Sequence, residues 1–308
     1  MDTRTRRPDL EVLEYARPNY ITDMIFPMLP RGERQGTLYY RDIQADVSAQ
    51  TGRSGGAAPT EQTVTDSNVS FNLSNDEFIV REKIADAEIA GLGGLDSAQQ
   101  IASRVAKRAV GNAIEDLTAA NILANVSVTY NDIGTSLIDA VSTGFDTLAD
   151  YAGQGEIALV VSSKLFSMIK RFEEVKDRMK FTGIVADDIR AVRNVSAVQL
   201  AALLGVDRVI VGNNEQWYTQ SGTYQDRAAL VKVPSMGIDP REDTQVGRTL
   251  WFSANDDAPA GDALFEVHSW YNEDKLSEMV DCRAYAEQKV LNTELIYGLD
   301  GIDTDLIS

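Results

Sequence analysis

Two alternating stretches enclose a polar tip, and a long alanine-rich helix follows them almost at once. Thr37–Val47 reads TLYYRDIQADV and Val69–Val80 reads VSFNLSNDEFIV, and both alternate well enough for strands. Between them SAQTGRSGGAAPTEQTVTDSN is small, polar and poor in anything that packs. Strands that leave a body, turn and return make a projecting hairpin, which is marginal on its own. Another molecule must supply the missing contacts, so the pattern points to assembly before catalysis.

The helix spans Asp96–Ala124, about 40 Å at ~1.5 Å per residue. Asp96 and Gln99 have a capping-box spacing. Ala98, Ile101, Val105, Ala109, Ala113, Leu117 and Ala120 follow in steps of three or four, which predicts a packing face. Its many alanines suit close approach to a sheet.

Ahead of the hairpin, residues 1–33 carry four prolines and Tyr15, Tyr20, Ile21, Met24, Ile25, Phe26, Met28 and Leu29. Proline forbids one continuous helix, and the apolar side chains are costly to leave in water. An extended arm lying on a neighbour meets both conditions. An arm packed on its own domain does so too.

Beyond the helix the pattern alternates. Ile138, Val141, Phe145 and Leu148 mark a helix, and IALVV (Ile157–Val161) a buried strand. Ser162 or Ser163 then caps a helix through Phe172, and residues 175–194 read as a polar excursion. Ser196 caps AVQLAALL, Gly205 sits at a helix C-terminus, and Val206–Val211 is a second buried strand. The remainder reads as strands at Ala228–Val233, Thr249–Ser253, Leu264–Tyr271 and Lys289–Tyr297.

Composition limits the chemistry. Asp and Glu number 47 against 29 Lys and Arg, a net charge of −18. That argues against a protein that reads DNA sequence, though a wall enclosing DNA remains open. One cysteine, Cys282, excludes an intrachain disulfide and suggests synthesis in a reducing place. No apolar run is long enough for a membrane helix. His268 is the only histidine, so no His/Cys metal cluster is possible, and neither it nor Cys282 has a catalytic partner near in sequence. Gly91–Gly94 lacks the spacing of a dinucleotide fingerprint and reads as a linker turn. No metal, cofactor or catalytic set is expected.

The order of parts resembles the HK97-fold major capsid proteins of tailed bacteriophages. It runs apolar arm, hairpin, long helix, α/β segment and closing strands, with AYAEQKVLNTELIYGL (Ala284–Leu299) similar to the closing strand of such proteins. The resemblance implies an α+β, HK97-like capsid fold. Residues 1–33 would be the N-terminal arm and 34–83 the extended hairpin, or E-loop. Residues 84–134 and 226–308 would form a β-rich P-domain with spine helix 96–124, and 135–225 an α/β A-domain. It implies a structural protein without enzymatic activity, assembling through pentamers and hexamers into an icosahedral shell around double-stranded DNA that it does not read. A separate scaffolding protein, a portal and a decoration protein are the implied partners. The implied location is the virion, after assembly in the host bacterial cytoplasm. Tyr15, Tyr20, Ile25, Phe26, Tyr39, Arg41, Arg53 and Phe71 are the expected inter-subunit contacts. Some members weld subunits through an E-loop lysine. Here no lysine precedes Lys83, so a noncovalent shell is expected. An encapsulin-like nanocompartment and a nucleotide-binding α/β enzyme are the rival readings.

Overall fold

The computed structural model describes residues 4–11, 20–43, 67–74, 77–125, 127–129, 136–151, 155–181, 195–212, 226–234, 239–252 and 264–302. In chain order the elements begin with β1 (Thr5–Arg6), α1 (Pro8–Glu11), α2 (Thr22–Ile25), β2 (Met28–Arg31), β3 (Gln35–Tyr40), β4 (Ser67–Asn72) and β5 (Glu77–Ala85). Then come α3 (Asp86–Ile89), α4 (Leu95–Leu123), β6 (Val128–Thr129), α5 (Leu137–Ala149), β7 (Gly155–Ser162), α6 (Ser163–Ile169), α7 (Glu173–Phe181), α8 (Ala197–Leu204) and β8 (Arg208–Gly212). The last strands are β9 (Ala228–Pro234), β10 (Gly247–Phe252), β11 (Glu266–Asn272), β12 (Ser277–Val290) and β13 (Ile296–Asp300).

Three sheets result. The largest runs β1-β11-β12-β10-β2, with β5 also paired to β12. A second runs β6-β13-β9-β7-β8, and among the described residues β3 pairs only with β4. The central strand β12 lines up Val280, Cys282, Ala284 and Ala286 on one face, and all four are buried. These are small side chains, and α4 meets them with Ala98, Ala102, Ala106 and Val110. Small residues on both sides let helix and sheet approach closely and bury their apolar surface.

The spine therefore exists, but its packing face differs from the expected one. Ala98 is buried as expected, whereas Ile101, Val105 and Leu117 are exposed. Each four-residue step turns about 40° past a full circle at ~3.6 residues per turn. A run such as 101–105–109–113–117 therefore winds off any single face. Asp96 is not the cap: Gly94 precedes the helix at φ 105 with no side-chain cap, and Gln99 instead donates to Glu278 at 2.8 Å. Gly93 and Gly94 both have positive φ, which suits a linker turn.

Other expectations changed at turns. Val69–Val80 is not one strand. Asn72 accepts from the Ser74 amide at 3.1 Å and ends β4, and β5 then joins the large sheet. Ala284–Leu299 is likewise two strands. β12 ends at Val290, a 3-10 turn spans Thr293–Leu295, and β13 pairs with β9 in the other sheet. So β9 and β13, expected in the P-domain, complete the sheet of the α/β segment. Residues 175–181, expected in an excursion, belong to α7. The caps held: Ser162 accepts from the Leu165 amide, Ser196 forms a capping box with Gln199, and Gly205 is left-handed.

Candidate assembly interface

The arm is the first place to look for a surface that reaches a neighbour, and its described part does not reach out. Ile21, Ile25 and Phe26 are sealed between the C-terminal end of α4 and the second sheet, against Ile122, Val160, Val231, Val246 and Leu295. Phe26 is 0% exposed, and a Cβ at Gly247 would collide with its ring. Tyr20 lies over Gly111, where only a glycine leaves room for the ring, and donates to Asn112 at 3.1 Å.

Buried charge fixes this position. The Glu115 carboxylate accepts from the Ile21 amide (2.9 Å), the Thr22 amide (3.0 Å) and the Thr22 hydroxyl (2.6 Å). It sits at the start of α2, where free amide groups favour an anion. Lys107 donates to the Leu10 and Glu11 carbonyls at 2.7 and 2.8 Å. Tyr20, Ile25 and Phe26, expected as inter-subunit contacts, are thus core residues of their own chain. Tyr15 lies outside the described residues.

The root of the hairpin is half anchored. Leu38, Phe71 and Leu73 pack on Leu250 and Leu291 of the body. Phe71 covers Gly36, its partner in register. Phe71 is therefore a root residue, not a contact surface. On the opposite face Tyr39 is 53% exposed. The Arg41 amide donates to the Pro240 carbonyl at 2.8 Å, which ties the root to its own chain. Arg53 and the tip lie outside the described residues.

Apolar side chains stand in water at two further places. Ile101, Val105 and Leu117 wind along the outer flank of α4. Tyr271 and Leu276 sit at the β11–β12 turn. The second group is fastened: Tyr271 donates to Asp86 at 2.7 Å, and the Asp86 amide donates to the Leu276 carbonyl. That hydrogen bond holds the Tyr271 hydroxyl above its ordinary pKa. Leu276 is 66% exposed at φ 43, ψ 56. The left-handed region costs a side chain of this size roughly 1–2 kcal/mol. A strained backbone that holds a leucine in water marks a contact surface more than a folding need. Sequence reasoning missed both groups, although Leu276 stands in a turn that reads NEDKLSE.

The outer face of the large sheet is polar. Asp281 is fully buried beneath Arg81 and Arg283, each 3.4 Å away, with Arg4 at 3.9 Å. Arg4 and Arg81 both lie over the Trp270 ring. His268 pairs with Asp281 in register, and its buried Nδ1 makes no hydrogen bond among the described residues. Cys282 points to the other face, and burial pushes its thiol up to about 12. That chemistry is inert. Among the described residues no group of three His, Cys, Asp or Glu could hold a metal ion, and no helix is long and apolar enough to cross a membrane.

No family model matches the chain, and no curated protein sequence does. Solved structures do. A phage-related protein from Bordetella bronchiseptica shares 17% identity at a TM-score of 0.69, over 97% of this chain and 98% of that one. The capsid of cyanophage P-SCSP1u shares 12% at 0.54, over 94% and 90%. The holo-SrpI encapsulin complex from Synechococcus elongatus shares 12% at 0.50, over 91% and 86%. The chain has the α+β, HK97-like capsid fold.

Proposed function

We propose that the chain is the major capsid protein of a tailed bacteriophage, a structural subunit that builds a closed shell. One observation carries the reading: the capsid-like fold spans nearly the whole chain, and apolar side chains remain in water at separate places on it. A monomer gains nothing from Leu276, Ile101, Val105 and Tyr39 in those positions. Neighbours that cover them gain ~25 cal/mol per Å² of apolar surface, offset in part by ordering.

In this reading the hairpin reaches an adjacent subunit, led by Tyr39, Arg41 and Arg53. The turn around Leu276 and the flank of α4 meet further copies. The second sheet with its helices is the A-domain, converging on its copies in pentamers and hexamers, and the large sheet with α4 is the P-domain. The shell encloses double-stranded DNA without reading it, is held noncovalently and assembles in the host cytoplasm with a scaffolding protein and a portal. A decoration protein would bind from outside.

The test is to express the chain alone and with scaffold and portal, then examine the size-exclusion fractions by negative-stain electron microscopy. Shells, or rings of five or six, are the expected result. A chain that stays monomeric under every condition refutes the reading. The SrpI likeness supports a second reading, a nanocompartment around a protein cargo. Particles that take up a cargo enzyme but no DNA in infected cells would favour it.

A further inference from the structure

A cleft of about 800 Å³ runs along α6, bounded by the first turn of α8 and the edge strand β8. It opens at the C-terminal ends of β7 and β8, which are parallel. Ends of parallel strands are where α/β sheets hold ligands, and the volume lies in the usual range for a small-molecule site. Among the described residues the polar lining is Lys164, Lys170, Arg171, Ser163, Ser167 and Ser196, with no carboxylate. That is unexpected in a chain with 47 acidic and 29 basic residues.

Lys170 is the decisive residue. It is only 7% exposed, and its ammonium makes one long hydrogen bond, 3.4 Å to the Val195 carbonyl, while lying 4.2 Å from the Phe166 ring centroid. Among the described residues neither Lys170 nor its neighbour Arg171 pairs with a carboxylate. Burial and the adjacent Arg171 both lower the Lys170 pKa. A buried cation beside a second cation is unfavourable unless an anion joins them. The Ser196 and Ser167 hydroxyls already donate to Gln199 and to the Ser163 carbonyl, so the cations are what this wall offers a ligand.

We propose that this cleft binds a phosphate group, as free phosphate or as part of a nucleic-acid backbone. Neighbouring cations match an oxyanion with several acceptor oxygens, for which arginine is the preferred partner. The inference does not depend on the shell reading, because the site lies within one chain.

The test is calorimetric titration of the purified full chain with sodium pyrophosphate at low ionic strength. Saturable binding is expected, weakening as salt rises. Arg171→Ala and Lys164→Ala both replace exposed residues, so folding is not at stake. Each should weaken binding about tenfold, the effect of losing one charge-assisted contact of ~1.4 kcal/mol. A thymidine tetranucleotide that displaces pyrophosphate would identify a nucleic-acid backbone as the source, and failure to displace it would identify free phosphate. No saturable pyrophosphate binding, binding unchanged in both variants, or preference for oligoglutamate would overturn the proposal.

Discussion

The arm and the hairpin look alike in sequence and behave differently in the structure. Both carry aromatic and aliphatic residues in extended, proline- or glycine-punctuated chain. The arm has receptors waiting on its own spine: Glu115 for two amides, Lys107 for two carbonyls and Gly111 for the Tyr20 ring. Leu10, Tyr20, Ile21, Ile25 and Phe26 consequently vanish into the core. The hairpin finds a partner for one face only, through Leu38 and Phe71, and leaves Tyr39 outside. An assembly surface is therefore marked by what the chain fails to cover, not by where the sequence is most apolar.

The largest effect should come from the arm. Phe26→Ala should destabilise the isolated subunit by about 3–5 kcal/mol, the usual cost of emptying a buried aromatic site. Urea unfolding measures it, and a change under 1 kcal/mol would break the contrast. Glu115→Ala should cost about 2–4 kcal/mol, because it orphans two buried amides. Hydrogen exchange should then show faster opening at Ile21 and Thr22.

A third test lies beneath the spine. Burial raises the Cys282 pKa from 9.0 to about 12, so the folded state holds a proton that the unfolded chain releases above pH 9. Its contribution is present in full below pH 9 and is lost as pH rises toward 12. Between pH 7 and pH 10 the chain should lose roughly 1.4 kcal/mol more stability than Cys282→Ala does. The folded thiol should also resist a thiol reagent at pH 8.

At the hairpin root, Gly36→Ala places a Cβ 2.9 Å from the tip of the Phe71 ring. The ring can shift, so the cost should be about 1 kcal/mol. The smallest stability effects belong to the uncovered residues. Tyr39→Ser and Val105→Glu should stay within about 0.5 kcal/mol of the parent. Both should lower the yield of particles in sedimentation, and normal yield would show that these positions are not contacts.

Much of the architecture was legible in the sequence because its signals are local. Ser196 with Gln199, Ser162 and Gly205 fix helix ends by short-range hydrogen bonding and backbone conformation. The central strand β12 was harder to read. Its inward residues Cys282, Ala284 and Ala286 alternate correctly, but they carry too little apolar surface to stand out. The spine's buried face was hidden for the opposite reason. Gln99, Lys107 and Glu115 all point inward, because each has a partner far away in sequence. The candidate contacts depended on the same distant information, and so the arm residues fell on the wrong side of the surface.

The position of Phe26 has a consequence for synthesis. Its receptor is complete only when Leu295 has been made, roughly 270 residues later. At about 5–20 residues per second, the ribosome needs about 15–55 seconds to reach that point. For that interval Ile21, Ile25 and Phe26 travel uncovered on the nascent chain. A segment made early is thus sealed late, and closing it reports that the chain has been translated through Leu295.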